Sequence, residues 1–193
     1  MTTLVSLKTK TSPMDDIQLA RQAHTDAEAF AELYRRHVTQ VYRYHMAHTG
    51  NVKDAEDLTS QTFMAALEGI RSFRGSGSFA AWIMGIATRK RAMFFRGSKL
   101  EVPLEAALRI PTPDLPTDKA ATQRLQMDRI RNALRQLSPE RAEALILCYF
   151  GGLNLVEAGR VLGKSEAAVK MLLSRGLHDL RERTSLSLEV EYE

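Results

Sequence analysis

Four of the chain's six prolines, Pro103, Pro111, Pro113 and Pro116, fall within one short stretch, EVPLEAALRIPTPDLPTD. Each ring removes a backbone donor and clashes with the preceding turn, so no continuous helix crosses this segment. The pattern predicts a linker over 98–121, with room for a short helical turn at Leu104–Ile110. One unit then occupies 15–97 and another 122–184, with flexible tails at 1–14 and 185–193. Aromatic residues are few, at 7%, while Ala, Leu, Arg and Glu abound, which favours helices over strands. The expected class is all-α, as two small helical domains on a Pro-rich joint.

In the first unit Phe30, Leu33, Tyr34, Val38, Val41 and Tyr42 recur at three- and four-residue spacing. A break follows at Thr49–Gly50–Asn51. The next helix directs Leu58, Thr62, Phe63, Ala66, Leu67 and Ile70 inward and shows Asp54, Asp57, Gln61 and Glu68 on its other face. Ser72–Ser78, with Gly75 and Gly77, reads as a loop. A third helix covers roughly Phe79–Arg96. In the second unit Ser138–Pro139–Glu140 opens a helix that runs to Phe150 and stops at Gly151–Gly152. Asn154 and Glu157 form a capping-box pattern for the next helix, which ends at Gly163. Ser165 caps a last helix with Val169, Leu173, Leu177 and Leu180 on one face.

Two helices joined by Gly163–Lys164–Ser165 make a helix-turn-helix pattern, which a plain helical hairpin shares. Gly159 permits a close approach there and Gly163 supplies a left-handed turn. Charge adds direction. From Gly69 to Leu100 there are seven basic residues and no acidic one, whereas acids outnumber bases from Asp15 to Glu68. A basic block beside an acidic one suits two different partners on adjacent surfaces. Basic groups among Trp82, Met93, Phe94 and Phe95 suit phosphates and unpaired bases, although such rings also serve as core.

The string DAEDLTSQTFMAALEGIRSFRGSGSFAAWIMGIATRKRAMFFRG resembles the core of the extracytoplasmic function (ECF) group of bacterial sigma factors. LRQLSPERAEALILCYFGGLNLVEAGRVLGKSEAAVKMLLSRGLHDLRE resembles that group's C-terminal domain, and the likeness covers residues 15–184. It implies a chain that directs core RNA polymerase to promoters and helps melt the −10 element. Asp54, Glu56, Asp57, Gln61 and Glu68 would meet the clamp helices of the largest polymerase subunit, and the second-largest subunit's flap is a further implied partner. Arg74 and Ser76 of the loop, with Trp82, Arg89, Lys90, Arg91 and Arg96, would hold the −10 strand. Lys164, Ser165, Glu166, Ala167, Lys170, Ser174 and Arg175 would read the −35 element. The resemblance also implies control by an anti-sigma factor. The sequence departs from the family at Arg89, Met93, Ala168, Met171 and Leu172, which puts its promoter preference in doubt.

Such a role needs no nucleophile, cofactor or metal of its own. His45 and His48 have a helical spacing but no neighbouring Cys or acid in sequence to complete a metal site. The lone Cys148, in the apolar run Ala144–Phe150, excludes an internal disulfide and fits a reducing cytoplasm. No apolar stretch reaches membrane-spanning length. A linker of some 24 residues spans at most about 80 Å, which lets two docked domains reach separate promoter elements. Free in solution, the same linker lets the domains collapse together and hide their DNA-binding faces. A helix-turn-helix regulator acting without polymerase is the first alternative, and a sigma mimic that titrates an anti-sigma factor, against which the retained basic residues argue, is the second. Dependence on the acidic stripe for polymerase binding separates the first from the leading reading.

Overall fold

The computed structural model describes residues 15–100 and 130–184, and every regular element among them is helical. Residues 101–129, with the expected turn at Leu104–Ile110, and both tails lie outside the described residues, while 98–100, expected in the linker, continue α4.

The first helix, α1 (Asp16–Gln22), is not announced by any apolar period. Long-range polar bonds hold it. Asp16 accepts from Arg36 Nη1 at 2.9 Å through one oxygen and lies 2.6 Å from His37 Nε2 through the other. Leu19 and Ala20 are then buried beneath it. Helix α2 (Ala27–Thr49) starts at Asp26, whose side chain accepts from Glu28 N, and ends at Gly50 with φ 65°. Asn51 caps α3 (Val52–Gly69), accepting from Asp54 N at 3.1 Å. A 3-10 turn, Ile70–Ser72, leads to the loop, and α4 runs Phe79–Leu100, beyond the expected end at Arg96. Leu33, Val41, Leu58, Ile83 and Met84 are fully enclosed where α2, α3 and α4 meet.

Two details of this bundle differ from the sequence pattern. Tyr34 and Leu67, placed on inward faces by their spacing, are 42% and 51% exposed. Both sit at the edge of an apolar stripe, where a turn of a few degrees decides the side. His45, in contrast, is wholly buried. Thr62 donates its hydroxyl proton to Leu58 O at 2.7 Å, so its oxygen accepts from His45 Nε2 at 3.0 Å. The other ring nitrogen is buried without a hydrogen-bond partner among the described residues. A proton there would be an unpaired charge, and burial, followed by the His48 and Arg91 charges, lowers this imidazole from 6.5 to about 3.

The unfolded chain takes that proton near pH 6.5, whereas the folded chain refuses it until about 3. His45 therefore contributes its full stability above pH 6.5 and loses it progressively as pH falls. Replacement by Gln, which can still donate to Thr62, should flatten the dependence of unfolding free energy on pH by up to about 1.4 kcal/mol per pH unit. Denaturant titrations over that pH range read the slope. Equal slopes for the two proteins would remove His45 from the acid response.

The C-terminal unit contains α5 (130–135), α6 (Pro139–Leu145), α7 (Leu155–Leu162) and α8 (Glu166–Thr184). The expected helix to Phe150 exists but changes character. From Ile146 to Phe150 it widens into a π turn, with Gly151 N bonding to Ile146 O at 2.9 Å. The wider turn lets both Ile146 and Leu147 point inward while Tyr149 stays exposed. Asn154 and Glu157 make the reciprocal capping box that their spacing predicts, each bond 2.9 Å long. Gly163 ends α7 at φ 65°, and a Cβ on Gly159 would lie 2.7 Å from Lys164 O. The tight turn needs both glycines, although the close neighbour of Gly159 is the turn's backbone, not the facing helix.

The two units touch. Helix α4 packs on α7, α2 packs on the π turn, and one apolar cluster runs through both units. The expected collapse is therefore present, but its extent differs from expectation, as the surfaces below show.

Candidate nucleic-acid and protein interfaces

The outward face of α3 carries Asp57, Gln61 and Glu68, all exposed, with Asp54 half-buried at one edge and Glu56 at the other. The structure adds two residues that the pattern did not single out for this role. Met64 is 63% exposed and sits three residues after Gln61 and four before Glu68, in the middle of the stripe. Leu67 borders it, three residues on from Met64. An exposed apolar centre rimmed by acids is a composition that suits a protein partner. Exposure of Met64 was legible in principle, since it falls at helical spacing from the acids.

The loop after α3 forms one wall of a cleft of about 490 Å³. Arg74, Ser76, Trp82 and Arg89 line it on the N-terminal side. Phe79, fully buried, props the loop from below, with its ring centroid 5.6 Å from Phe73, 5.4 Å from Trp82 and 5.1 Å from His37. Trp82 is thus half-buried within an aromatic cluster, consistent with a supporting role. The opposite wall belongs to the other unit: Arg160 and Val161 of α7. The Arg160 guanidinium lies directly over Gly77.

The basic residues of α4 do not form one surface. Arg89 and Arg96 are exposed and seven residues apart, so they share a stripe with the exposed Met93. Lys90 is half-buried beside it. Arg91 points away from the group in this arrangement. Two residues from Arg89 is more than half a turn, and its Nη1 meets Glu143 Oε2 of α6 at 3.1 Å. Sequence alone does not show this, because the partner lies on the other unit.

In the C-terminal unit α8 turns Glu166, Ala167, Lys170, Ser174 and Arg175 to solvent in one continuous face. Met171, 52% exposed, and His178 belong to the same face and were not among the expected contacts. Two expected contacts are engaged locally. Lys164 pairs with Glu140 at 2.8 Å, and Ser165 caps α8 by accepting from Ala168 N at 3.2 Å. Collapse of the units therefore covers the loop cleft and Arg91 but leaves the outer face of α8 open. Cys148 is half-buried, and burial raises its thiol pKa, which disfavours the reactive thiolate. Among the described residues no group of His, Cys, Asp and Glu has the arrangement of a metal site. No described helix is long and apolar enough to cross a membrane.

These surfaces lie within two family matches. Residues 33–100 match Sigma-70 region 2, and residues 127–180 match Sigma-70, region 4. The chain is 35% identical over 158 residues to the ECF RNA polymerase sigma factor BldN of Streptomyces coelicolor. The chain belongs to the ECF sigma factors. The BldN match covers 80% of this sigma factor and 60% of BldN, so the chain spans about 60% of the length of the relative. Two solved structures share the fold of this sigma factor. CnrH, in complex with the cytosolic domain of CnrY, superposes with a TM-score of 0.68 at 24% identity, over 87% of this chain and 95% of that one. RpoE of Bartonella quintana, in complex with the anti-sigma factor NepR, gives 0.63 at 22%, over 83% and 99%.

Proposed function

We propose that this chain is a promoter-specificity factor of core RNA polymerase, acting in the cytoplasm by recognition, without catalysis or a cofactor of its own. The observation that carries the reading is the separation of three exposed faces by chemistry: acidic and apolar on α3, basic on α4, mixed polar on α8. Residues 15–97 form the polymerase-binding and −10 unit, and 122–184 the −35 unit, with 98–121 as the joint. Asp57, Gln61, Met64, Glu68 and Glu56 grip the clamp helices of the polymerase's largest subunit, with Asp54 at the margin. Arg74, Ser76, Arg89, Lys90 and Arg96 hold the separated −10 strand, with Trp82 bracing the loop. The α8 face, from Glu166 through Lys170 and Met171 to Ser174 and Arg175, enters the major groove at −35, with Lys164 and Ser165 fixing its start. The flap of the second-largest subunit is the expected partner of the C-terminal unit. An anti-sigma factor is the expected regulator, in keeping with the NepR complex of the related fold.

In vitro transcription from a library of randomised promoters, with core polymerase and this chain, tests the reading. Promoters with selected −10 and −35 elements should emerge, and no enrichment over core alone would refute it. Lys90→Ala with Arg96→Ala should weaken holoenzyme binding about equally on all promoters, by about tenfold for two phosphate contacts. Lys170→Ala or Arg175→Ala should instead change the selected −35 element, at about 1–3 kcal/mol of discrimination per base contact. A −10 pair that alters −35 choice would put the helices in the wrong roles.

A further inference from the structure

Four polar side chains meet where the two units close, and none belongs to the exposed faces assigned above. Glu143 of α6 is at the centre, with only 12% of its side chain exposed. Tyr44 of α2, fully buried, donates its hydroxyl to Glu143 Oε1 at 2.7 Å. Arg91 of α4 reaches Glu143 Oε2 at 3.1 Å. His48 Nε2 lies 3.3 Å from the same oxygen, close enough for attraction but without hydrogen-bond geometry. Arg91 Nη1 also points at His48 Nδ1 across 3.3 Å, so that nitrogen must be the unprotonated acceptor. One carboxylate from the C-terminal unit thus meets three groups of the N-terminal unit.

We propose that Glu143, Arg91, His48 and Tyr44 form a proton-sensitive lock between the two units, which when shut seats Arg160 over the 72–78 loop and denies the −10 strand its cleft. The blocking step rests on the loop's assignment to the −10 strand, whereas the lock itself does not. The geometry explains both halves. Shutting the lock brings α6 and α7 onto α2 and α4 together, because the two C-terminal helices share one core. Arg160 then faces Arg74 and Arg89 across a cleft whose lining holds no acid, so this side of the closed state gains nothing electrostatically. Beside the apolar packing, the carboxylate of Glu143 supplies electrostatic attraction between the units.

Protons act through His48. Burial lowers its pKa; Glu143 opposes that shift and the Arg91 charge adds to it. Burial by itself would raise Glu143, but His48, Arg91 and Tyr44 outweigh it and hold the carboxyl below its usual range. Burial, reinforced by the Glu143 charge, pushes Tyr44 well above its ordinary value, so it stays a neutral donor. The neighbours complete the surroundings of His48: its ring packs 4.8 Å from that of Tyr44, and His45, lowered to about 3, stays neutral on the same helix. Arg131 and Arg135 of α5, Glu140 of α6 and Lys164 line the same cavity, of about 420 Å³. Solvent in that cavity gives protons a route to the ring. His48 accepts a proton more readily once the units part, so closure is favoured above pH 6.5 and weakens as pH falls below it.

The test uses the full chain, with dyes on Ser60→Cys and Glu182→Cys in a Cys148→Ser background, so that energy transfer reports closure without DNA or polymerase. High transfer is expected at about pH 7.5 and lower transfer at about pH 5.5. Glu143→Gln should be open at both, and Arg91→Met should match it if the Gln variant folds poorly. His48→Gln should stay closed at both. The binding of a labelled single-stranded oligodeoxynucleotide of random sequence is read in parallel. Glu143→Gln should bind it about tenfold more tightly, the gain expected if about nine in ten wild-type molecules are shut. Unchanged transfer in both the Glu143 and Arg91 variants, or an unaltered pH response in His48→Gln, would overturn the lock. Opening without tighter strand binding would overturn the blocking step, while transcription with core would still stand.

Discussion

Asp57→Lys combined with Gln61→Lys should reduce affinity for core polymerase by at least about 100-fold, equivalent to about 3 kcal/mol. Both side chains are exposed on the outward face of α3, seven and three residues before Met64 on the same stripe. Lysine is as good a helix former as the residues it replaces, and neither position is packed, so the helix itself should survive. What changes is the sign of the charge around an apolar contact, and like charges facing each other across an interface cost several kcal/mol. The measurement is a titration of labelled chain with core, read by anisotropy, beside a thermal melt that should be unchanged. Met64→Ala supplies a graded companion, since it removes the apolar centre and leaves the charges. Wild-type affinity in the double variant would move the polymerase contact off α3 and with it the main protein partner proposed for this chain.

Phe79→Ala should destabilise the N-terminal unit by about 3–5 kcal/mol, the usual cost of emptying a buried ring site. Phe79 is fully enclosed and contacts Phe73, Trp82 and His37, which together anchor both ends of the loop and tie α4 to α2. Natural domains have about 5–15 kcal/mol in total, so the variant should sit near its unfolding limit at 37 °C. Unfolding followed by Trp82 fluorescence reports the change directly, because that ring is part of the cluster. A loss below about 1 kcal/mol would mean that the loop does not depend on the ring beneath it. Phe79→Leu, which refills most of the volume, should recover the larger part.

Where local chemistry decides an element, the sequence sufficed to place it. Asn154 with Glu157, Gly163 and Ser165 each act within four residues, and all three features take the form their spacing predicts. The helical class followed from composition and period for the same reason. Features set by distant neighbours were not legible. Helix α1 has two well-buried residues and is secured by Arg36 and His37, some twenty positions away. The π turn at Ile146–Phe150 is a packing solution, invisible to a 3.6-residue period. Among the site residues, the acidic face of α3 was legible as a stripe, whereas Met64 was overlooked and Leu67 was placed on the wrong side. Arg91 was grouped with Arg89 and Arg96 by adjacency, yet its partner sits 52 positions on, at Glu143.

The open outer face of α8 has a further consequence. A shut molecule still presents Lys170, Ser174 and Arg175. With the roles and the lock proposed above, touching duplex would not require parting the units, whereas seating an unpaired base would. Search and melting would then be put in sequence: the chain would sample intact grooves in its compact form, and only unlocking would commit it to separated strands.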